Sequence, residues 1–90
     1  MRIPETVQKD WADRQFSCGL WTDPPGAVWE DYCHDTDELV LLLEGEVELE
    51  MKGQKTRLQK GREVLIPAQT FHSVRNLGSG TSYWLYGYKR

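Results

Sequence analysis

The sequence predicts an all-β domain, a closed barrel or sandwich of short strands, and three observations predict it. From Gln15 onward, short runs rich in Val, Leu, Trp and Tyr recur at regular spacing, separated by Gly- or Pro-containing turns. One run, "EVELEMK" from Glu46 to Lys52, alternates strictly between acids and apolar residues. Helical periodicity is almost absent. Ninety residues suit one domain, 1–90, with the barrel over about 15–90 and a short irregular N-terminal segment before it. Within that segment only Gln8 to Arg14 suggests a helical turn.

The elements follow in order. "FSCGLW" (Phe16 to Trp21) is a short strand, and the tandem prolines of "DPPG" (Asp23 to Gly26) exclude a ladder and make a loop. "AVWEDYC" is the next strand. "DELVLLLE" (Asp37 to Glu44) is apolar on both faces, as a central strand must be. In "EVELEMK", Val47, Leu49 and Met51 face one way and Glu46, Glu48 and Glu50 the other, the acids forming a solvated face. The dipeptides Glu44–Gly45 and Lys52–Gly53 suggest tight hairpins. "KTRLQ", "EVLIP", "HSVRN" and the aromatic-rich "TSYWLYGY" are the remaining strands, with turns at Lys60–Gly61 and "LGSG".

Composition removes several classes of function. The net charge is −3 and no Lys or Arg block is present, which argues against a nucleic-acid surface. The longest apolar run, Leu39 to Leu43, is far too short to span a bilayer, and "MRIPETVQKD" carries no apolar export signal. Cys18 and Cys33 are too few for a disulfide framework and read as reduced thiols in a cytoplasmic protein. No Ser-His-acid spacing and no Gly-rich phosphate loop supports a hydrolase or a nucleotide binder.

The chemistry gathers around the two histidines. In "DYCH", strand alternation puts Tyr32 and His34 on one face and turns Cys33 away. Glu38 opens the following strand, and His72 opens a later one. Two imidazoles and a carboxylate suit a divalent transition metal and leave coordination positions open. On spacing alone, hydrogen-bonded core histidines are the more common reading of such a pattern.

Two segments sharpen it. "GAVWEDYCHDTDELVLLLEG" has Gly26, His34, Glu38 and Gly45 at the spacing of the first conserved motif of the cupin superfamily, with Tyr32 where that motif has the first His of a His-x-His pair. "GREVLIPAQTFHSVRN" resembles the second motif through Gly61, Pro67, His72 and Asn76, with Gln69 in place of a Gly. The resemblance spans Gly26 to Asn76. It implies a jelly-roll barrel, the double-stranded β-helix, with the two motifs facing each other across its mouth. It also implies His34, Glu38 and His72 as metal ligands for Fe, Mn, Ni or Zn, and Tyr32 at the fourth ligand position. A phenol ionises only near pH ~10 and is a poor ligand, so Tyr32 is better suited to hydrogen-bond a substrate or a metal-bound water.

Three functions remain open at this point: a metal-dependent protein, either a binding protein or an enzyme such as an oxygenase or isomerase; a non-catalytic module that binds a sugar or organic acid without metal; and a metal-free isomerase. In the last, His34 or His72 paired with Tyr32 acts as the base. These three are the catalytic candidates. Gly45 and Gly61 are expected at positive φ, and Gln69 in a turn conformation that Gly adopts more easily, with its side chain at the pocket mouth. Asn76 is expected to support a loop through its amide. Of the aromatic load (Trp21, Trp29, Tyr83, Trp84, Tyr86, Tyr88), most is expected in core and subunit contacts, with one or two rings lining a pocket. Parity puts Trp29 on the face opposite Tyr32. Leu39, Leu41 and Leu43 lie opposite Glu38, and a wet face of that kind predicts a homodimer.

Overall fold

The computed structural model describes all residues, Met1–Arg90. One helix, α1 (Glu5–Asp13), precedes eight strands: β1 (Gly19–Asp23), β2 (Val28–Tyr32), β3 (Glu38–Glu44), β4 (Val47–Met51), β5 (Gln54–Arg57), β6 (Glu63–Ile66), β7 (His72–Asn76) and β8 (Ser82–Tyr88). They form two antiparallel four-stranded sheets, ordered β1-β8-β3-β6 and β2-β7-β4-β5. The all-β jelly-roll reading holds.

The alternation of β4 works as its sequence requires. Val47 and Leu49 are buried, and they join Val40, Leu42, Leu58, Ile66, Val74 and Trp84 in the core between the sheets. Outward from the same strand, Glu48 and Glu50 hold Arg75 of β7 at 3.0 and 2.8 Å. β3 lies between β8 and β6 and is buried from Glu38 to Leu42, as a strand apolar on both faces must be. Lys52 and Gly53, both at positive φ, turn the chain from β4 into β5, with Met51 opposite Gln54. Gly45 is not a hairpin turn: β3 and β4 belong to different sheets, and Glu44–Gly45 is the corner between them. Gly45 has φ 103°, and a Cβ there would lie 2.7 Å from that of Ser82.

The N-terminal segment departs from the sequence reading. It is a regular helix of nine residues, not an irregular stretch. Its C-terminus closes in a Schellman arrangement, with Phe16 N–H donating to Trp11 O at 2.7 Å and Gln15 N–H to Ala12 O at 2.9 Å, while Gln15 takes φ 66°. The helix is marginal by periodicity because one side chain anchors it. Trp11 is buried against Phe16, Leu39, Leu41 and Leu85 on the outer face of the first sheet. Its indole N–H donates to Glu63 Oε1 at 2.9 Å, and Arg14 grips both oxygens of that carboxylate at 2.8 Å. Leu39 and Leu41, the face from which a homodimer was argued, are thus covered by the chain's own helix. No helix is long and apolar enough to cross a membrane.

Candidate functional site

The open end between the sheets holds a cavity of about 370 Å³. His34, Glu38 and His72 converge at its inner side, their ligand-type atoms all within 4.8 Å of one another. The three come from separate places in the fold. Glu38 opens β3 of one sheet and His72 opens β7 of the other. His34 is not at a strand start: it stands in the loop between β2 and β3. Glu38 Oε1 lies 3.5 Å from His34 Nε2 and 3.4 Å from His72 Nε2, yet it has no hydrogen-bond partner although it is buried. His72 Nδ1 lies 3.1 Å from Thr70 O. A proton on Nδ1 donates to that carbonyl, and the ring so held turns Nε2 toward Glu38. The Glu38 carboxylate, helped by Thr70 O and opposed by burial, holds the His72 imidazole above its ordinary pKa.

These residues fit a divalent cation. A buried carboxylate oxygen without a donor, facing two imidazole nitrogens, is costly unless something positive sits among them. The other half of the second motif supports the same corner. Gln69 takes φ 64°, the conformation expected where a Gly is usual, but its side chain reaches Asp35 Oδ1 at 3.3 Å and does not line the cavity. Asn76 donates from Nδ2 to the carbonyls of Asp23, Pro24 and Gly80 at 3.2, 2.9 and 3.0 Å, tying the β1–β2 and β7–β8 loops together.

Tyr32 lines the cavity beside His34, with ring centroids 6.4 Å apart and nearly parallel planes. Trp29 lines it too, contrary to its parity. The cause is a β-bulge: the pairing of β2 with β7 shifts between Trp29 and Tyr32, Asp31 adopts φ 58°, and its N–H donates to Ser73 Oγ at 3.0 Å. One extra residue reverses the phase, so Trp29 and Tyr32 face the same way. The aromatic load is likewise a pocket wall more than a core: Trp21, Trp29, Trp84, Tyr86 and Tyr88 all line the cavity. Burial and the nearby Glu38 charge push the Tyr88 phenol up.

Sequence reasoning missed Asp23, which organises this wall. It is 1% exposed. Its Oδ1 accepts the indole N–H of Trp21 at 2.7 Å and of Trp29 at 2.9 Å, and its Oδ2 that of Trp84 at 2.9 Å. Three of the chain's four tryptophans are therefore pinned by one carboxylate. The only signal in the sequence was an acid just before two prolines, which read as a loop residue.

The rings also form a circuit. Tyr32 touches Trp29 (centroids 6.3 Å apart), Trp29 touches Trp21 (5.6 Å), Trp21 touches Tyr86 (5.9 Å) and Tyr86 touches Tyr88 (5.9 Å). Tyr88 meets His34 at 4.9 Å, and His34 returns to Tyr32. The collar carries no Lys or Arg, and neither does the rest of the cavity lining.

Comparisons with known proteins agree with this architecture. The family model of the cupin domain matches residues 19–88. The cupin domain of Cnp3 from Schizosaccharomyces pombe superposes with a TM-score of 0.76 at 20% identity, covering 83% of this chain and 56% of that one. A cupin domain of an XRE family transcriptional regulator from Enterobacter cloacae gives 0.76 at 22% identity, covering 88% and 85%. A predicted oxalate decarboxylase from Thermotoga maritima gives 0.75 at 19% identity, covering 90% and 72%. No curated protein matches the chain.

Proposed function

Since the chain belongs to the cupin domain family, we propose that it holds one divalent metal ion through His34, Glu38 and His72 and acts on a small molecule bound in the aromatic cavity, as a metal-dependent oxygenase or isomerase. The observation that carries this reading is Glu38 Oε1, buried, without a hydrogen-bond donor and equidistant from two imidazole nitrogens. A bound ion supplies Lewis-acid polarisation of a ligand oxygen or a site for dioxygen. The chain's residues supply the rest. Thr70 O keeps the His72 ring oriented. The aromatic wall surrounds His34, Glu38 and His72 with largely apolar surface, which lowers the local dielectric and strengthens charge interactions there. Tyr32, 44% exposed, stands at the mouth and is placed to hydrogen-bond a substrate rather than to complete the ligand set. With no Lys or Arg in the lining, an anionic substrate finds no fixed positive side chain there. Two unpaired thiols, Cys18 and Cys33, support a reducing, cytoplasmic setting.

Elemental analysis of untagged protein from metal-supplemented medium tests the proposal. We expect about one metal per chain in wild type and in Tyr32→Phe, and loss of metal in His72→Ala and Glu38→Ala that retain the wild-type circular dichroism spectrum. Wild-type protein that emerges without metal, or variants that keep it, would overturn the reading.

A further inference from the structure

We propose that the aromatic collar recognises a compact onium cation, a quaternary ammonium group or its chemical equivalent, as the non-reacting end of the ligand. The inference rests on the cavity being the ligand site, as proposed above, but not on the metal.

Four observations carry it. First, Tyr32, Trp29, Trp21, Tyr86, Tyr88 and His34 all line the cavity and form an unbroken circuit of ring contacts, so a bound group meets several rings at once. Second, the planes turn steeply at five of the six junctions, by 62° from Tyr32 to Trp29, 80° to Trp21, 82° to Tyr86, 63° to Tyr88 and 69° to His34, with only Tyr32 and His34 nearer to parallel at 28°. Walls that turn like this enclose a rounded group; a flat aromatic ligand needs two parallel walls to stack between. Third, the indoles of Trp21, Trp29 and Trp84 give their N–H groups to Asp23. Those donors are spent, so the indoles offer the ligand only π surface, and hydrogen bonding to an anion makes that surface more electron-rich. Fourth, the buried carboxylate of Asp23 stands behind the tryptophans, with no Lys or Arg among the lining residues. Negative charge behind π faces favours a cation, and a quaternary cation asks for no hydrogen-bond acceptor.

The test compares choline with 3,3-dimethylbutan-1-ol, its neutral isostere, by titration calorimetry and tryptophan fluorescence on chelator-treated protein. The two differ in charge and hardly in shape. We expect choline to bind about tenfold tighter, and the advantage to shrink to threefold or less in Trp21→Leu, which keeps apolar bulk but removes the π face. The wild-type comparison stands even where that variant does not fold. Equal affinities, a preference for the alcohol, tighter binding of phenol than of choline, or no binding of either compound would each overturn the inference. Because the titrations are done without metal, they are separable from the metal assay: a protein that purifies without metal but prefers choline removes the metal site alone, and one that purifies with metal but proves indifferent to charge after chelation removes the collar alone.

Discussion

Replacing Asp23 with Asn changes one oxygen to an amide nitrogen and leaves the shape intact. The Asp23 oxygens accept three indole N–H groups at 2.7, 2.9 and 2.9 Å, two on Oδ1 and one on Oδ2. An Asn can keep its oxygen toward Trp21 and Trp29, but its NH₂ then faces the indole N–H of Trp84, donor against donor. Trp84 is 7% exposed, so its N–H finds no bulk water to turn to. Losing that charge-assisted bond costs about 1.5–3 kcal/mol, and the two retained bonds weaken toward neutral strength. Removal of a buried charge works the other way, through relief of its desolvation. With three short donors already solvating the carboxylate, the bonds should outweigh that relief, for a net loss of about 2–3 kcal/mol. In a domain of this size the loss lowers Tm by about 10–20 °C. Scanning calorimetry reads the shift, and near-UV circular dichroism reads the loosened tryptophans. A Tm equal to or above that of wild type would refute the reasoning, since it would mean that the buried carboxylate costs more than its three donors return.

Two further outcomes are expected. Trp11→Ala removes a side chain that is 1% exposed, should cost about 3–5 kcal/mol, and should uncover Leu39, Leu41 and Leu85; light scattering is then expected to show a larger mass than for wild type at equal concentration, and equal masses would contradict the role given to the helix. The Glu63 carboxyl is held below its ordinary range, first by Arg14, so its contribution is complete above the unfolded pKa of about 4.3 and is lost as pH falls through the folded value. Arg14 is 43% and Glu63 30% exposed at the side chain, which limits the effect to less than about 1 kcal/mol. Between pH 6 and pH 3 (roughly the window of that titration) wild type should therefore lose slightly more stability than Glu63→Gln, and parallel Tm curves would count against the linkage.

The sheet framework was legible because it rests on local signals. Alternation in β4, two-sided apolarity in β3 and Gly-marked turns each report burial or a dihedral angle directly. The His34–Glu38–His72 group was legible because the two motifs hold these residues at fixed spacings. What escaped depended on single events that parity and composition do not encode. One residue at Asp31 reverses the phase of β2, and so Trp29 faces the cavity rather than the outside. Asp23 resembles any loop acid until three indoles from three strands are brought to it. The N-terminal helix lacks a clean apolar stripe because Trp11 carries most of its contact. Glu44–Gly45 looks like a hairpin turn because glycine at positive φ serves a corner between sheets equally well.

The strand order has a consequence for how the chain comes to be folded at all. In the sheet β1-β8-β3-β6, both β1 and β3 pair with β8, the strand made after the other seven. Until it emerges from the ribosome, the apolar segment Leu39 to Leu43 lacks one of its two neighbours, and β1, paired only with β8, lacks a partner altogether. The first sheet therefore cannot close before β8 is available, and the nascent chain must keep that segment from other strands in the meantime.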